Sequence, residues 1–162
     1  MLKEIIRRLI FKLFLLFRDK QNSQMILLND SIGSEIIYNG YYEKSNLEAL
    51  KKSFSPNIKN STFLDIGANI GNHSIFFNNY FKKIVSFEPQ KKTFQILSMN
   101  TNKHDNIYIQ NFGIHTENKK VKFYIPIDNN GMASSEIKLT NTYEEEVELR
   151  KIDNNDYQNV GF

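Results

Sequence analysis

Phe63-Leu64-Asp65-Ile66-Gly67-Ala68-Asn69-Ile70-Gly71-Asn72-His73 sets the fold of this chain. Phe63–Ile66 is a short apolar run, which predicts a strand covered on both faces. Two glycines four residues apart follow it, and a helix is predicted over Asn72–Phe81 with Phe76, Phe77, Tyr80 and Phe81 at helical spacing in the core. A strand that enters a helix through so short a turn needs residues without Cβ. Gly67 lets the backbone approach a ligand, and Gly71 lets the first helical turn sit close to it. The N–H groups of that turn are then expected to face the ligand.

The same alternation continues on the C-terminal side. Ile84–Phe87 predicts a second strand, residues 91–102 a helix, and Ile107–Gln110 a third strand. Two strand–helix–strand units imply a parallel sheet with right-handed crossovers. Beyond Gly113 the texture changes to strands and turns: Val121–Ile127, a loop over Asp128–Ser135, then Glu146–Ile152. Glu144-Glu145-Glu146 reads as a solvated run leading into a strand whose Val147 and Leu149 point inward. The fold class is therefore α/β: a partial Rossmann-like sheet of three strands plus hairpin material, with helices on both faces.

Toward the N-terminus, Met25–Leu28 and Ile36–Tyr38 look like short strands, with a turn at Asn39-Gly40. A helix over residues 45–54 follows, with Leu47, Leu50 and Phe54 on one face. Ser45 and Glu48 have capping-box spacing, and Ser55-Pro56-Asn57 ends the helix. Before these lies an amphipathic segment, Met1–Phe17, with Leu2, Ile5, Ile6, Leu9, Ile10, Leu13 and Leu16 at helical spacing. Lys12 interrupts it, and it is shorter than the roughly 20 apolar residues of a membrane span. Two readings stay open for it: a helix lying on a membrane surface through a basic face, or one packed on protein. Three units are expected: 1–20, 21–60 and 61–162.

Charge narrows the chemistry. Residues 1–20 carry six basic and two acidic side chains, while the remaining 142 residues carry 15 basic and 16 acidic groups. A nucleic-acid binder needs a basic stripe on its folded body, so that class drops out. Cysteine is absent, which excludes disulfides, thiolate metal sites and a cysteine nucleophile. His104 and His115 have no metal-ligand spacing with carboxylates, and no metal is expected. His73, in the first helical turn, is a surface or capping residue or else a general base.

The glycine turn distinguishes between cofactors. A dinucleotide fingerprint places three glycines as G-x-G-x-x-G; here the middle one is missing and Asp65 sits at the strand end. An acid in that place repels a pyrophosphate and favours S-adenosylmethionine (SAM), which carries an ammonium and a sulfonium. No Gly-Lys-Ser/Thr follows, so a P-loop is excluded. Glu88 ends the second strand 21 residues after Gly67, near the spacing at which an acid takes ribose hydroxyls. Pro89 stops the strand there.

With these residues in view, the chain resembles the FkbM-type methyltransferases of the class I SAM-dependent superfamily. The matching blocks are Gly40-Tyr41-Tyr42-Glu43, Asp65-Ile66-Gly67-Ala68-Asn69-Ile70-Gly71-Asn72 and Phe87-Glu88-Pro89. Asn100, Asn111-Phe112-Gly113 and Lys151-Ile152-Asp153 agree in order, so the likeness covers residues 35–162. It implies methyl transfer from SAM to a hydroxyl on a sugar, polyketide or other small acceptor. Asp65, Gly67, Asn69 and Gly71 would cradle the methionine end and Glu88 the ribose. The Asn111–Gly113 turn would border the adenine, and Ala68, Asn72 and Pro89 complete the implied set. The resemblance names no catalytic base.

The resemblance also implies a sheet of seven strands with the fourth beside the first. The sequence stops at Val160-Gly161-Phe162, where that fourth strand is expected to begin. The strand at Phe63–Ile66 then faces an open edge unless Val121–Ile127 or Val147–Ile152 fills it. The expectation is a truncated product or one half of a split gene, completed by a second chain. It would be cytoplasmic, with contact of residues 1–17 with the inner membrane face as one of the two readings open for that segment.

Overall fold

The computed structural model describes residues 24–26, 31–126, 135, 141–153, 156–157 and 160. The amphipathic segment Met1–Phe17, the second half of the Met25–Leu28 piece and most of the Asp128–Ser135 loop lie outside the described residues. Among the described residues no helix is long and apolar enough to cross a membrane.

Helix α1 (Ser31–Asn39) opens the described chain, followed by α2 (Lys44–Ser53) and a 3-10 turn over Pro56–Asn60. Ile36–Tyr38 therefore lies in a helix, against the strand expectation. Ile36 is buried while Tyr38 is exposed, so tertiary packing overrides the local preference of the Ile36-Ile37 pair for a strand. The Asn39-Gly40 turn is the helix terminus: Gly40, at φ +80°, donates its N–H to the Ile36 carbonyl at 2.9 Å. The capping box at Ser45 is also not formed. Helix α2 starts one residue earlier with Glu43 as its N-cap, and the Glu43 N–H is taken by Glu35 Oε1 at 2.9 Å. Glu48 instead pairs with Lys51 on the helix surface. Leu47 points inward as expected, but Leu50 is exposed.

Strands β1 (Thr62–Ile66), β2 (Lys83–Phe87) and β3 (Ile107–Gln110) form a parallel sheet in the order β1-β2-β3. Helix α3 (Asn72–Phe77) and helix α4 (Lys91–Thr101) make the two crossovers. α3 ends before Phe81, the expected limit. Asn78 turns its own Nδ2 to the Ile75 carbonyl, the local competition with which asparagine ends helices. The aromatic core survives this: Phe77 and Phe81 are buried among Leu47, Ile58 and Ile84, with Phe54, Phe63, Phe76 and Tyr80 packed around them. The rings of Phe54, Phe63, Phe77 and Phe81 meet at centroid distances of 5.0–6.2 Å, the range in which edge and tilted pairs attract.

Ile84 faces that cluster and Val85 the opposite one, as the pleat requires. Helices α2 and α3 cover the first face. On the second, Phe112, Ile114, Ile152 and Tyr157 pack on Val85 and Phe87, and all four lie in strands or their connections.

The hairpin material forms its own three-stranded sheet of β4 (Gly113–Ile114), β5 (Lys119–Pro126) and β6 (Thr142–Arg150), in the order β4-β6-β5. β5 pairs antiparallel with β6, so neither Val121–Ile127 nor Val147–Ile152 fills the free edge of β1. Pairing with each other satisfies both strands without a crossover. Val147 and Leu149 are buried as expected. The Glu144-Glu145-Glu146 run belongs to the strand itself, and its outward acids meet Lys120 and Lys122 of β5. Among the described residues, the edge of β1 away from β2 receives one parallel bridge, Thr62 to Val160.

Candidate functional site at the carboxyl ends of the first two strands

The strand order makes the site. From β1 the chain moves to β2 and β3 on one side, and it returns at Val160 to the other side of β1. The carboxyl end of β1 is thus the switch point of the sheet, where open α/β sheets take their ligands. Asp65, the glycine turn and Glu88 converge there.

Gly67 and Ala68 both donate their N–H groups to the Phe87 carbonyl, at 3.0 and 2.9 Å. The Asn69 N–H reaches Glu88 Oε2 at 3.0 Å, and the Gly71 N–H returns to the Ala68 carbonyl at 2.8 Å. The N–H groups of Gly67, Ala68 and Asn69 therefore brace the turn against the end of β2, and that of Gly71 closes the turn on itself. The reason is geometric: a turn this tight brings its own donors onto the end of the neighbouring strand. Gly67 is at φ +78°, and a Cβ built on it would meet nothing within 4 Å, so it faces open space. Gly71 is at φ +93° and its missing Cβ would lie 2.8 Å from Leu97 Cδ1. Its role is close packing of the turn on α4. Asn69 sits at φ +52°, a conformation that asparagine tolerates better than most residues, and its Oδ1 is buried without a hydrogen-bond partner.

Two acids are buried at this point. Asp65 is 7% exposed, and its Oδ2 accepts from both the N–H (3.1 Å) and the hydroxyl (2.5 Å) of Ser74 in α3. The Ser74 hydroxyl also lies 2.7 Å from that of Ser86. Burial holds the Asp65 carboxyl above its ordinary range, against the pull of the Ser74 hydrogen bonds. Glu88 is 3% exposed. One of its oxygens accepts from Asn69 and the other from the Gln90 N–H at 2.8 Å. Burial pushes its carboxyl up to about 7, offset in part by those two N–H groups.

The remaining expected residues are placed less directly. Asn72 spends its amide on Tyr42: Nδ2 donates to the Tyr42 carbonyl at 3.0 Å and Oδ1 accepts the Tyr42 N–H at 2.9 Å. Asn111 Nδ2 donates to the carbonyls of Glu88 (2.8 Å) and Pro89 (3.2 Å), so it braces the chain leaving β2. Gly113 is a packing glycine, since a Cβ there would lie 2.7 Å from Leu149 Cδ2 and 3.5 Å from Pro89. His73 is half-buried at the start of α3. The structure thus brings Asp65, Gly67, Ala68, Asn69, Gly71 and Glu88 together, with Asn72, Pro89, Asn111 and Gly113 around them in supporting contacts.

Sequence reasoning missed three contributors. Ser74 and Ser86 carry no motif, although a serine on the buried face of each element hints at a polar network. Glu145 caps the start of α4 by accepting the Lys91 N–H at 2.8 Å, across 54 positions of sequence.

No family model matches the sequence, and no curated protein matches it significantly. Several solved structures overlay part of it. The methyltransferase FkbM from Methylobacillus flagellatus KT aligns over 70% of this chain and 25% of its own, at 17% identity and a TM-score of 0.38. An rRNA methylase from Streptococcus thermophilus aligns over 43% of this chain and 41% of its own (18% identity, TM-score 0.37). The YcgJ protein from Bacillus subtilis aligns over 41% and 29% (20% identity, TM-score 0.38). The chain therefore spans between a quarter and about two fifths of the structures it matches. Overlays this partial carry no statement about activity.

Proposed function

We propose that this chain binds SAM at the carboxyl ends of β1 and β2 and serves methyl transfer to a hydroxyl of a small acceptor, as in the FkbM-type enzymes it resembles. The observation that carries the reading is the pair of buried acids, Asp65 and Glu88, at the switch point of a parallel sheet. A pyrophosphate brought to this point would set its acceptor oxygens against those of two buried carboxyls, whereas a phosphate-free nucleoside brings hydroxyl and ammonium donors to them. The turn fits such a guest. Gly67 opens on free space, and the buried Oδ1 of Asn69 lacks the partner that an ammonium or hydroxyl would supply.

In this reading Glu88 accepts from ribose hydroxyls with the lone pairs that Asn69 and Gln90 leave free. Gly67 and Asn69 line the methionine end, and Asp65 contributes its charge from beneath the turn. SAM supplies an already activated methyl group. The chain's part is to hold cofactor and acceptor in line and to exclude water, which is where most of the acceleration of such a transfer arises. A hydroxyl of a sugar or similar small molecule is preferred over the nucleic acid named for the rRNA methylase, because the body beyond residue 20 has no excess of basic groups.

A second reading has one observation in its favour. Val160 bridges Thr62 on the edge of β1 where a further strand would lie. In that reading the chain binds SAM without turnover, and a second chain supplies the neighbouring strand and the acceptor pocket. The proposal places the protein in the cytoplasm, with residues 1–17 meeting the inner face of the membrane.

The deciding experiment is calorimetric titration of the chain with SAM and with NAD, repeated on Glu88→Ala. Saturable SAM binding, lost in the variant and absent for NAD, is expected. A folded chain that ignores SAM, or takes NAD equally well, would sink the proposal.

A further inference from the structure

Two asparagines beside the glycine turn do the same thing. Each pairs its side-chain amide with both backbone groups of one residue far away in sequence, as a strand neighbour would. Asn72 does this to Tyr42. Asn100, in the last turn of α4, does it to Met25: Oδ1 accepts the Met25 N–H at 2.5 Å and Nδ2 donates to the Met25 carbonyl at 2.9 Å. Asn100 has one more donor, and it goes to the Ile70 carbonyl at 2.8 Å, inside the turn itself.

We propose that Asn100 is a positioning residue for the cofactor turn: its amide couples the seating of residues 24–26 to the shape of the Gly67–Gly71 corner. The proposal rests on the SAM reading for its ligand but on geometry for the coupling. Asn100 is 5% exposed and uses three of the four hydrogen bonds an amide offers. No other side chain has its shape with two donors and an acceptor. The corner it holds is pressed on the same face of α4, because Leu97 and Thr101 are the side chains nearest to Gly71. Ala68 and Ile70 anchor the turn by burial, and the bond to Ile70 fixes the carbonyl that lies between the two glycines. The neighbouring Gln24 is also buried, yet neither of its amide atoms finds a hydrogen-bond partner. Among the described residues, Asn100 and Met25 thus make the polar attachment of this segment.

The test compares Asn100→Asp with Asn106→Asp in the full chain. Asn106 is a matched control: its Nδ2 also donates to two carbonyls, Asn78 (2.7 Å) and Phe81 (3.1 Å), but on the opposite end of the sheet. Each variant removes both donors and sets a carboxylate against carbonyl oxygens, so both are expected to lower Tm. Only Asn100→Asp is expected to weaken SAM binding, by about tenfold or more, equivalent to about 1.4 kcal/mol. Hydrogen exchange without SAM gives a second readout, in which the Met25 amide and the Gly71 amide should speed up together in Asn100→Asp and stay protected in Asn106→Asp. Faster exchange at Met25 with the turn unchanged would refute the coupling, as would equal loss of affinity in the two variants. If the wild type fails to bind SAM, the function proposed above is wrong, and the exchange arm still decides the role of Asn100.

Discussion

Glu88→Gln should make the stability of the protein respond to pH in a way that isolates one carboxyl. In the folded chain Glu88 titrates at about 7, against 4.5 for the ordinary group, chiefly because burial penalises its charge. A folded pKa above the unfolded one means that the native state binds the proton more tightly. The stabilisation is fully present below the unfolded value and is lost as pH rises through the folded one. Across the window from 4.5 to about 7, that shift is worth about 3 kcal/mol at the standard conversion per unit. Glutamine keeps the shape and cannot ionise. It can accept from only one of the two N–H groups of Asn69 and Gln90, so the variant starts with a constant penalty of about 1–3 kcal/mol at any pH. Urea unfolding of both proteins from pH 4.5 to 8 separates the two effects. Wild type should be the more stable at the acid end, and its advantage should shrink by up to about 3 kcal/mol toward pH 8. A difference that stays flat with pH, or that grows in favour of wild type, would refute the claim that Glu88 is buried against its charge.

Three further substitutions test the turn and the network beneath it. Gly67→Ala and Gly71→Ala should differ in kind. The first pays only for its left-handed backbone, about 1 kcal/mol, but fills the open space in front of the turn and should abolish SAM binding. The second adds a contact 2.8 Å from Leu97 Cδ1 and should cost about 3 kcal/mol; equal stability losses in urea would contradict the packing described for Gly71. Ser74→Ala removes the hydroxyl that favours the charged form of Asp65. The Asp65 carboxyl should rise further, and the loss of about 1–3 kcal/mol should be larger at pH 8 than at pH 4. A penalty that grows toward acid would show that Ser74 does not serve the carboxylate.

The elements that create the site were largely legible before the structure. Strands β1, β2 and β3 start and stop within a residue of expectation, because each is a largely apolar run followed within two residues by a glycine, proline or asparagine. The misread pieces are those where local preference and tertiary demand disagree. Ile36-Ile37 favours a strand, yet Ile36 is needed inward from a helix. Ser45 and Glu48 have the spacing of a cap, yet Glu35 reaches the preceding turn first.

The sequence alone determines the strand–turn–helix at Phe63–His73, the two glycines and the acids at the ends of β1 and β2, since each follows from local sterics and from the sign of a charge. Only the tertiary structure decides what those residues do for one another. The Asn100–Met25 and Glu145–Lys91 bonds join positions 75 and 54 residues apart. The elevated carboxyl of Glu88 reflects burial by distant elements. Hydrogen bonds of that span, and the desolvation of a charge, are properties of what folds against a residue, and no local pattern carries them.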